Sequence, residues 1–254
     1  MSDMADVPEF ILGADFRHRH MRSCGSTNSE LLMLDAGHDR LWLTADAQSG
    51  GRGRSGRQWM SEPGNLFASV RLEDPSSPQY AAGLSFVLAL AAKDAIDVAS
   101  ANQVDIELKW PNDIVVEGAK LAGILLEATS ASTGIITAIC GVGVNCAHAP
   151  DGSATLYRTT SLAEQGCTIE PADLFAHLWS AFNSRLAQWN RGHGMASICK
   201  DWKRAAAGIG SSITARTGGS ERRGIFRDIT PEGHLLLETS AGMETITAAD
   251  IFLA

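Results

Sequence analysis

Apolar positions change period several times along the chain, and each change marks a predicted element. Leu31, Leu32 and Leu34 follow Ser26-Thr27-Asn28-Ser29-Glu30 and stop at Gly37. Thr27 and Glu30 have capping-box spacing, which predicts a short helix with a glycine stop. Leu41 to Ala47 predicts a strand, and the alternation of Leu66, Ala68, Val70 and Leu72 predicts a half-buried strand over Asn65 to Leu72. Tyr80 to Ala101, rich in Ala and Leu and free of Pro, predicts one long helix. Ile106 to Trp110 reads as a strand ended by Pro111. Ile114 to Val116, a Glu117-Gly118 turn and Leu121 to Ala128 read as a hairpin. Ile135 to Val144 is almost wholly apolar, the pattern of a strand covered on both faces. Pro171 and Gly192 bracket a helical stripe of Leu174, Leu178, Phe182, Leu186 and Trp189. A second helix is predicted from Met195 to Ala206, ended by Gly208-Ile209-Gly210. Beyond Ser211 only short strands follow: Ile213 to Ala215, Gly224 to Ile229, Leu235 to Glu238 and Thr245 to Thr247, with a turn at Pro231-Glu232-Gly233. The first ten residues are expected to be loose.

These elements divide the 254 residues into a larger unit, 1–208, and a small β appendage, 209–254. An appendage of that size is marginal alone and is expected to lean on the larger unit. Hydrophobic residues make up 44% and charged residues 20%, which excludes a disordered or fibrous chain. A net charge of −8 argues against holding nucleic acid by bulk electrostatics. The most apolar stretch, Leu84 to Ala92, runs into Lys93, Asp94 and Asp97, so no membrane-spanning helix is read. The acidic N-terminus lacks the apolar core of a signal peptide. Five cysteines, an odd number without a C-x-x-C, suit a reducing cytoplasm. His18, His20 and Cys24 lie close together, as do Cys146 and His148, but neither group has ligand spacing, and no metal cage is expected.

Three features carry candidate chemistry. In Gly51-Arg52-Gly53-Arg54-Ser55-Gly56-Arg57, glycines permit close backbone approach to a ligand and arginines offer planar donor forks for carboxylate or phosphate. The same loop also reads as a flexible surface segment or an arginine-rich nucleic-acid contact. It is neither a P-loop nor a dinucleotide fingerprint. In Lys109-Trp110-Pro111-Asn112-Asp113 followed by Lys120 to Glu127, Lys120 opens an apolar strand. It is either a solvated strand-end lysine or a charge answered by a ligand or by Asp113 across the hairpin. Gly123 within that strand marks a bulge or a close ligand approach. Gly141 and Gly143, in a strand that otherwise reads as core, mark helix-packing clearance or, equally, ligand approach.

Taken together and in order, Ser26-Thr27-Asn28, Gln48, the Gly51–Arg57 loop with Trp59, Lys109 to Asp113, Lys120 to Glu127 and Gly141 to Asn145 resemble the biotin protein ligases over residues 22 to 254. The resemblance implies an α+β fold, a mixed β-sheet backed by helices on one side, with a small SH3-like β-barrel after Ser211. It implies two half-reactions: biotin and ATP give biotinyl-5′-AMP and pyrophosphate, then a lysine of a biotin carboxyl carrier protein takes the biotinyl group. On the matching positions it assigns Ser26, Thr27, Asn28, Gln48, Arg52, Gly53, Arg54, Lys120 and Gly123 to biotin. It assigns Arg54, Trp59, Asn112, Lys120 and Asn145 to the nucleotide, Trp59 as a lid near adenine. Lys120, Arg54 and Asp113 become the catalytic residues, Asp113 orienting Lys120 or accepting the carrier lysine's proton. Mg²⁺ is expected on the ATP phosphates rather than in a protein cage. The Arg52–Arg57 loop is expected to order on ligand binding.

An N-terminal DNA-binding module needs roughly 50 residues; only 25 precede Ser26, so a ligase without a repressor role, nucleic acid or membrane partner is expected. A homodimer stays open. Two positions depart from the family pattern: Gln48-Ser49-Gly50, where Ala usually precedes the first loop glycine, and Ala249 before Asp250, where Gly is usual. Competing readings are a lipoate ligase, which lacks the paired Gly/Arg and Lys-Trp-Pro-Asn-Asp pattern, a non-catalytic binding regulator on the same fold, and an arginine-loop RNA binder, which the charge disfavours.

Overall fold

A computed structural model describes residues 7–13, 15–130, 135–150, 157–217 and 220–253. Its larger sheet contains β1 (Glu9–Gly13), β2 (Phe16–Cys24), β3 (Leu41–Gln48), β4 (Leu66–Glu73), β5 (Glu107–Lys109), β6 (Asp113–Val116), β7 (Ala119–Ser130) and β8 (Ile136–Val144). The order is β1-β2-β3-β4-β8-β7-β6-β5. Among the described strands only β2 and β3 pair in parallel, and helix α1 (Thr27–Leu32) carries the crossover between them. The other helices are α2 (Pro78–Ala81), α3 (Leu84–Ala99), α4 (Pro171–Trp189) and α5 (Met195–Arg204).

Strand alternation assigns the two faces. Leu66, Ala68, Val70 and Leu72 of β4, with Ala138, Cys140, Val142 and Val144 of β8, join one core with Trp42 and the apolar stripes of α3, α4 and α5. The opposite face buries Leu31 of α1 on Leu41, Leu43, Ala45 and Ile139. The helices therefore do not all lie on one side, as the resemblance implied: α1 occupies the other face, because it must span the parallel β2–β3 pair there. Double coverage explains the unbroken apolar run of β8.

Several sequence expectations need correction. Glu9 and Phe10 lie in a strand instead of a loose terminus, while 1–6 fall outside the described residues. Strand β2 carries no aliphatic alternation. His18 stacks on Phe175 with centroids 4.4 Å apart, Arg17 and Arg19 pair with Glu9, and the hydroxyl of Thr44 bonds both His18 and His20. The first helix ends at Leu32 instead of reaching Gly37, because the buried Arg71 guanidinium binds the carbonyls of Leu31 (2.7 Å) and Leu34 (3.0 Å). Ser26, not Thr27, is its N-cap residue, and Glu30 instead accepts the Gly25 N–H at 3.2 Å. The expected long helix over Tyr80 to Ala101 breaks at Gly83, where a Cβ would come within 2.7 Å of Met195 Sδ and 2.9 Å of Trp189 Nε1.

The C-terminal strands are β9 (Ser212–Thr217), β10 (Ser220–Ile229), β11 (Leu235–Thr239), β12 (Gly242–Ile246) and β13 (Asp250–Leu253). They form an antiparallel sheet in the order β12-β11-β10-β9-β13, the last strand returning beside the first as in small SH3-like barrels. β13 was not among the expected strands: four residues with one buried apolar side chain, Ile251, leave almost no periodic signal. Phe226, Leu235, Leu237 and Ile251 are continuous with the main core, and Trp110 Nε1 donates to the Gly233 carbonyl at 2.9 Å.

Trp42 is fully buried, edge-on to Phe175 at 5.5 Å and Phe182 at 5.2 Å. Trp42→Ala is expected to remove about 3–5 kcal/mol of stability in urea unfolding; a loss under about 1 kcal/mol would show that α4 is not held through this contact.

Candidate active site

A cavity of about 460 Å³ opens on the α1 face of β4, β7 and β8. Its floor is made by omission. Gly141 and Gly143 of β8 face the cavity, as does Gly123 of β7 between Lys120 and Leu125. A Cβ on Gly141 would collide with the Asn28 amide, one on Gly143 with the Trp59 indole, and one on Gly123 would lie 3.1 Å from that indole. The clearance serves α1 and the Gly/Arg loop, not the helices on the far side.

One end is a polar network. The Thr27 N–H and hydroxyl donate to Gln48 Oε1 at 2.8 and 3.1 Å, and Gln48 Nε2 donates to Ser61 Oγ at 2.9 Å. The Thr27 and Ser69 hydroxyls are 2.7 Å apart, and Ser69 Oγ donates to Asn28 Oδ1 at 2.6 Å. Asn28 Nδ2 donates to Glu127 Oε2 at 2.8 Å. Ser26, Thr27 and Asn28 are all buried here, at the start of α1. Ser69 and Glu127 were not assigned from the sequence. Ser69 sits in an alternating strand with nothing to distinguish it, and Glu127 looks like the strand's outer end.

The Gly/Arg loop folds back on itself. Trp59 N–H donates to Gly51 O (2.9 Å), Gly53 N–H to Arg57 O (2.7 Å) and Arg57 N–H to Arg54 O (3.2 Å), around a left-handed Ser55-Gly56 turn. These three N–H groups are spent within the loop, while the arginine side chains reach the cavity. Arg52 pairs with Glu127 at 3.2 Å. Arg54 donates to Asn112 Oδ1 at 3.1 Å and to the Ala249 carbonyl at 3.5 Å. Arg57 forms an ion pair with Asp250, and its hydrogen bond holds the Asp250 carboxyl below the usual carboxylate range. Ala249 does not adopt a positive φ, so the alanine is unstrained there.

Lys120 Nζ is 2.7 Å from Asp113 Oδ1 and 5.2 Å from the Trp59 ring centre. A bulge in the β6–β7 register brings Lys120 onto the cavity side. Trp59 lies over Gly143, its indole N–H buried without a partner among the described residues. Asn112 Nδ2 is held by the Ile124 carbonyl at 2.8 Å. Asn145 lines the wall, but its amide is committed to the Thr160 carbonyl at 3.0 Å. Lys109, 7% exposed, lies over the Tyr157 ring at 4.3 Å, and burial pushes its ammonium pKa down. The cavity thus unites every residue given a catalytic, biotin or nucleotide role from the sequence, takes in Lys109, singled out there without a role, and adds Ser69, Tyr157 and Asp250.

Comparison with known proteins follows the same lines. Residues 20–145 match the biotin/lipoate A/B protein ligase family, and residues 208–254 match the biotin protein ligase C terminal domain. The biotin–[acetyl-CoA-carboxylase] ligase of Paracoccus denitrificans is 39% identical over 232 residues, covering 89% of this chain and 96% of that protein. The bifunctional ligase/repressor BirA of Bacillus subtilis is 34% identical over 240 residues, 93% of this chain and 73% of that protein. A biotin protein ligase from Aquifex aeolicus, solved in complex with biotin and ATP, superposes with a TM-score of 0.80 at 22% identity, covering 93% of this chain and 99% of that one.

The Arg57–Asp250 pair has a defined pH signature. The folded carboxyl pKa is depressed, so its stabilisation is complete above the unfolded value near ~3.9 and is lost as pH falls through the folded value. With both side chains partly exposed, Asp250→Asn should cost about 0.5–1 kcal/mol at pH 7. In urea titrations the gap to wild type should close below about pH 4; a gap independent of pH would rule the pair out as a contributor.

Proposed function

The chain belongs to the biotin/lipoate A/B protein ligase family, and we infer that it activates biotin with ATP as biotinyl-5′-AMP and transfers the biotinyl group to a lysine of a biotin carboxyl carrier protein or domain. One observation carries the reading at the level of the site: the Lys120–Asp113 pair, Arg52 and Arg54 converge on a cavity whose floor is stripped to glycine. Two anions, a carboxylate and a triphosphate, must meet there, and fixed cations remove their mutual repulsion.

Thr27, Asn28 and Gln48, supported by Ser69 and by Ser26 at the helix start, offer donors and acceptors to the ureido ring, and Gly123 clears space beside it. Arg52, Gly53 and Arg54 close over the carboxylate and α-phosphate, and Lys120 bridges the two. A carboxylate oxygen of biotin attacks the α-phosphorus. The bond to the oxygen shared with the β-phosphate breaks, pyrophosphate leaves with the electron pair, and no proton moves. In the second step the neutral carrier amine attacks the acyl carbon, AMP leaves, and Asp113 takes the amine's proton. Trp59 covers the adenine side, Asn112 contacts the nucleotide, and Asn145 supports that wall through Thr160. Among the described residues no group of three metal-ligating side chains occurs, and Asp113 and Asp250 are both paired with cations. On this reading Mg²⁺ enters on the ATP phosphates as part of the substrate.

The division at 208/209 follows the larger and smaller sheets. Cys24, Cys140, Cys146, Cys167 and Cys199 are free thiols, consistent with the cytoplasm. Among the described residues no helix is long and apolar enough to cross a membrane. The net charge of −8 disfavours nucleic acid as a partner held by bulk electrostatics. The exposed edge strand β1, with Phe10 and Ile11 outward, is the surface a second copy would use in a homodimer.

Incubation with biotin, Mg·ATP and an apo carrier, read by streptavidin blot, should show transfer, with lipoate and a lipoyl carrier giving none. Lys120→Ala should fold normally and lose about 10²-fold or more in rate; wild-type turnover would sink its assignment. Biotin plus ATP should protect Arg52–Arg57 from trypsin, and equal cleavage with and without ligand would refute loop closure.

A further inference from the structure

Five basic side chains line the cavity among the described residues, and four of them already hold an oxygen. Lys120 has Asp113, Arg52 has Glu127, Arg54 has Asn112 and Arg57 has Asp250. Lys109 is the exception. Although only 7% exposed, its ammonium makes no hydrogen bond or ion pair among the described residues and meets only the face of the Tyr157 ring. Its register partner Asp113 is already committed to Lys120. An ammonium withdrawn from water without an acceptor is costly, and a cation–π contact offsets only part of that. Burial accordingly works against its charge. Such a group is built to receive an anion.

Resting on the ligase reading above, we propose that Lys109 is a catalytic residue of the adenylation step, receiving the β- and γ-phosphates of ATP and holding pyrophosphate as it departs. Its place supports this assignment. Lys109 lies on the far side of Asp113 from Gly123, within electrostatic reach of Asp113, Lys120 and Asp250. Lys120, next to Gly123, serves the carboxylate and α-phosphate; the tail of the nucleotide then extends toward Lys109. When the bond between the α-phosphorus and the bridging oxygen breaks, the electron pair stays on that oxygen. Pyrophosphate gains the negative charge that the biotin carboxylate gives up. A cation in a water-poor setting acts most strongly on charge that develops there. Pyrophosphate is absent from the second half-reaction, so Lys109 has no part in it.

That asymmetry supplies the test. Lys109→Met keeps the stem on Tyr157 and removes the charge. Biotin binding by calorimetry, biotin-dependent pyrophosphate release, and transfer from synthetic biotinyl-5′-AMP to an apo carrier are measured separately. Pyrophosphate release should fall about 10²–10³-fold, while biotin affinity and transfer stay within about twofold of wild type. Lys109→Arg should retain most of the release rate. Release at the wild-type rate in Lys109→Met would overturn the proposal, and so would an equal loss in both half-reactions, which marks a merely structural strut. Should the Met variant fail to fold, Lys109→Gln is read by pyrophosphate product inhibition: weaker inhibition supports the proposal and unchanged inhibition overturns it. A wild-type protein that binds biotin yet releases no pyrophosphate would instead overturn the ligase reading itself.

Discussion

The alternation of side chains along a β-strand is the constraint on which this molecule turns. Strands β4, β7 and β8 must be solid on one face, where α3 and α4 bury them, and hollow on the other, where the cavity lies. Residues one apart therefore obey opposite rules. Val142 and Val144 fill the core, while Gly143 between them must have no side chain at all. Ser69 lies between Ala68 and Val70 and carries the hydroxyl that links Thr27 to Asn28. A register slip of one residue would put valines into the cavity and the glycine gaps into the core, so fold and site are specified by the same pairing.

What the sequence disclosed follows from where the physical signal is written. The Gly/Arg loop and the Lys-Trp-Pro-Asn-Asp segment are local, with unusual residue types packed into a few positions, so they stood out without any tertiary knowledge. Long apolar stripes such as that of α4 were equally plain. Partners brought in from a distance were not. Arg71, which nothing in its strand's alternation marks out, is buried as the cap of α1, forty residues away. Asp250 lies in a strand too short to announce itself, and its meaning comes from Arg57. Thr27 offered a capping box that the fold declined, because Gln48 and Ser69 compete for its hydroxyl. Strand β2 hid because histidine rings and arginine stems cover the sheet where aliphatic side chains were sought.

The cations of the site are largely paired within the protein. Most are parked on the protein's own carboxylates and carbonyls, so incoming anions exchange with existing partners instead of meeting bare charge. This favours substrates that offer several anionic oxygens at once, since each must displace a partner already in place.

The contact between the Gly/Arg loop and the small C-terminal sheet has a consequence for heat tolerance. Arg54 and Arg57 reach Ala249 and Asp250, and Trp110 binds the Gly233 carbonyl. The smaller sheet supplies the smaller share of the common core and is expected to be the element that local melting claims first. Once it frays, the loop loses its anchor while the larger sheet is still intact. The working ceiling of the protein is thus set by its least stable part: warming should silence it reversibly at temperatures where most of its secondary structure survives, and cooling should restore it by re-docking a few strands.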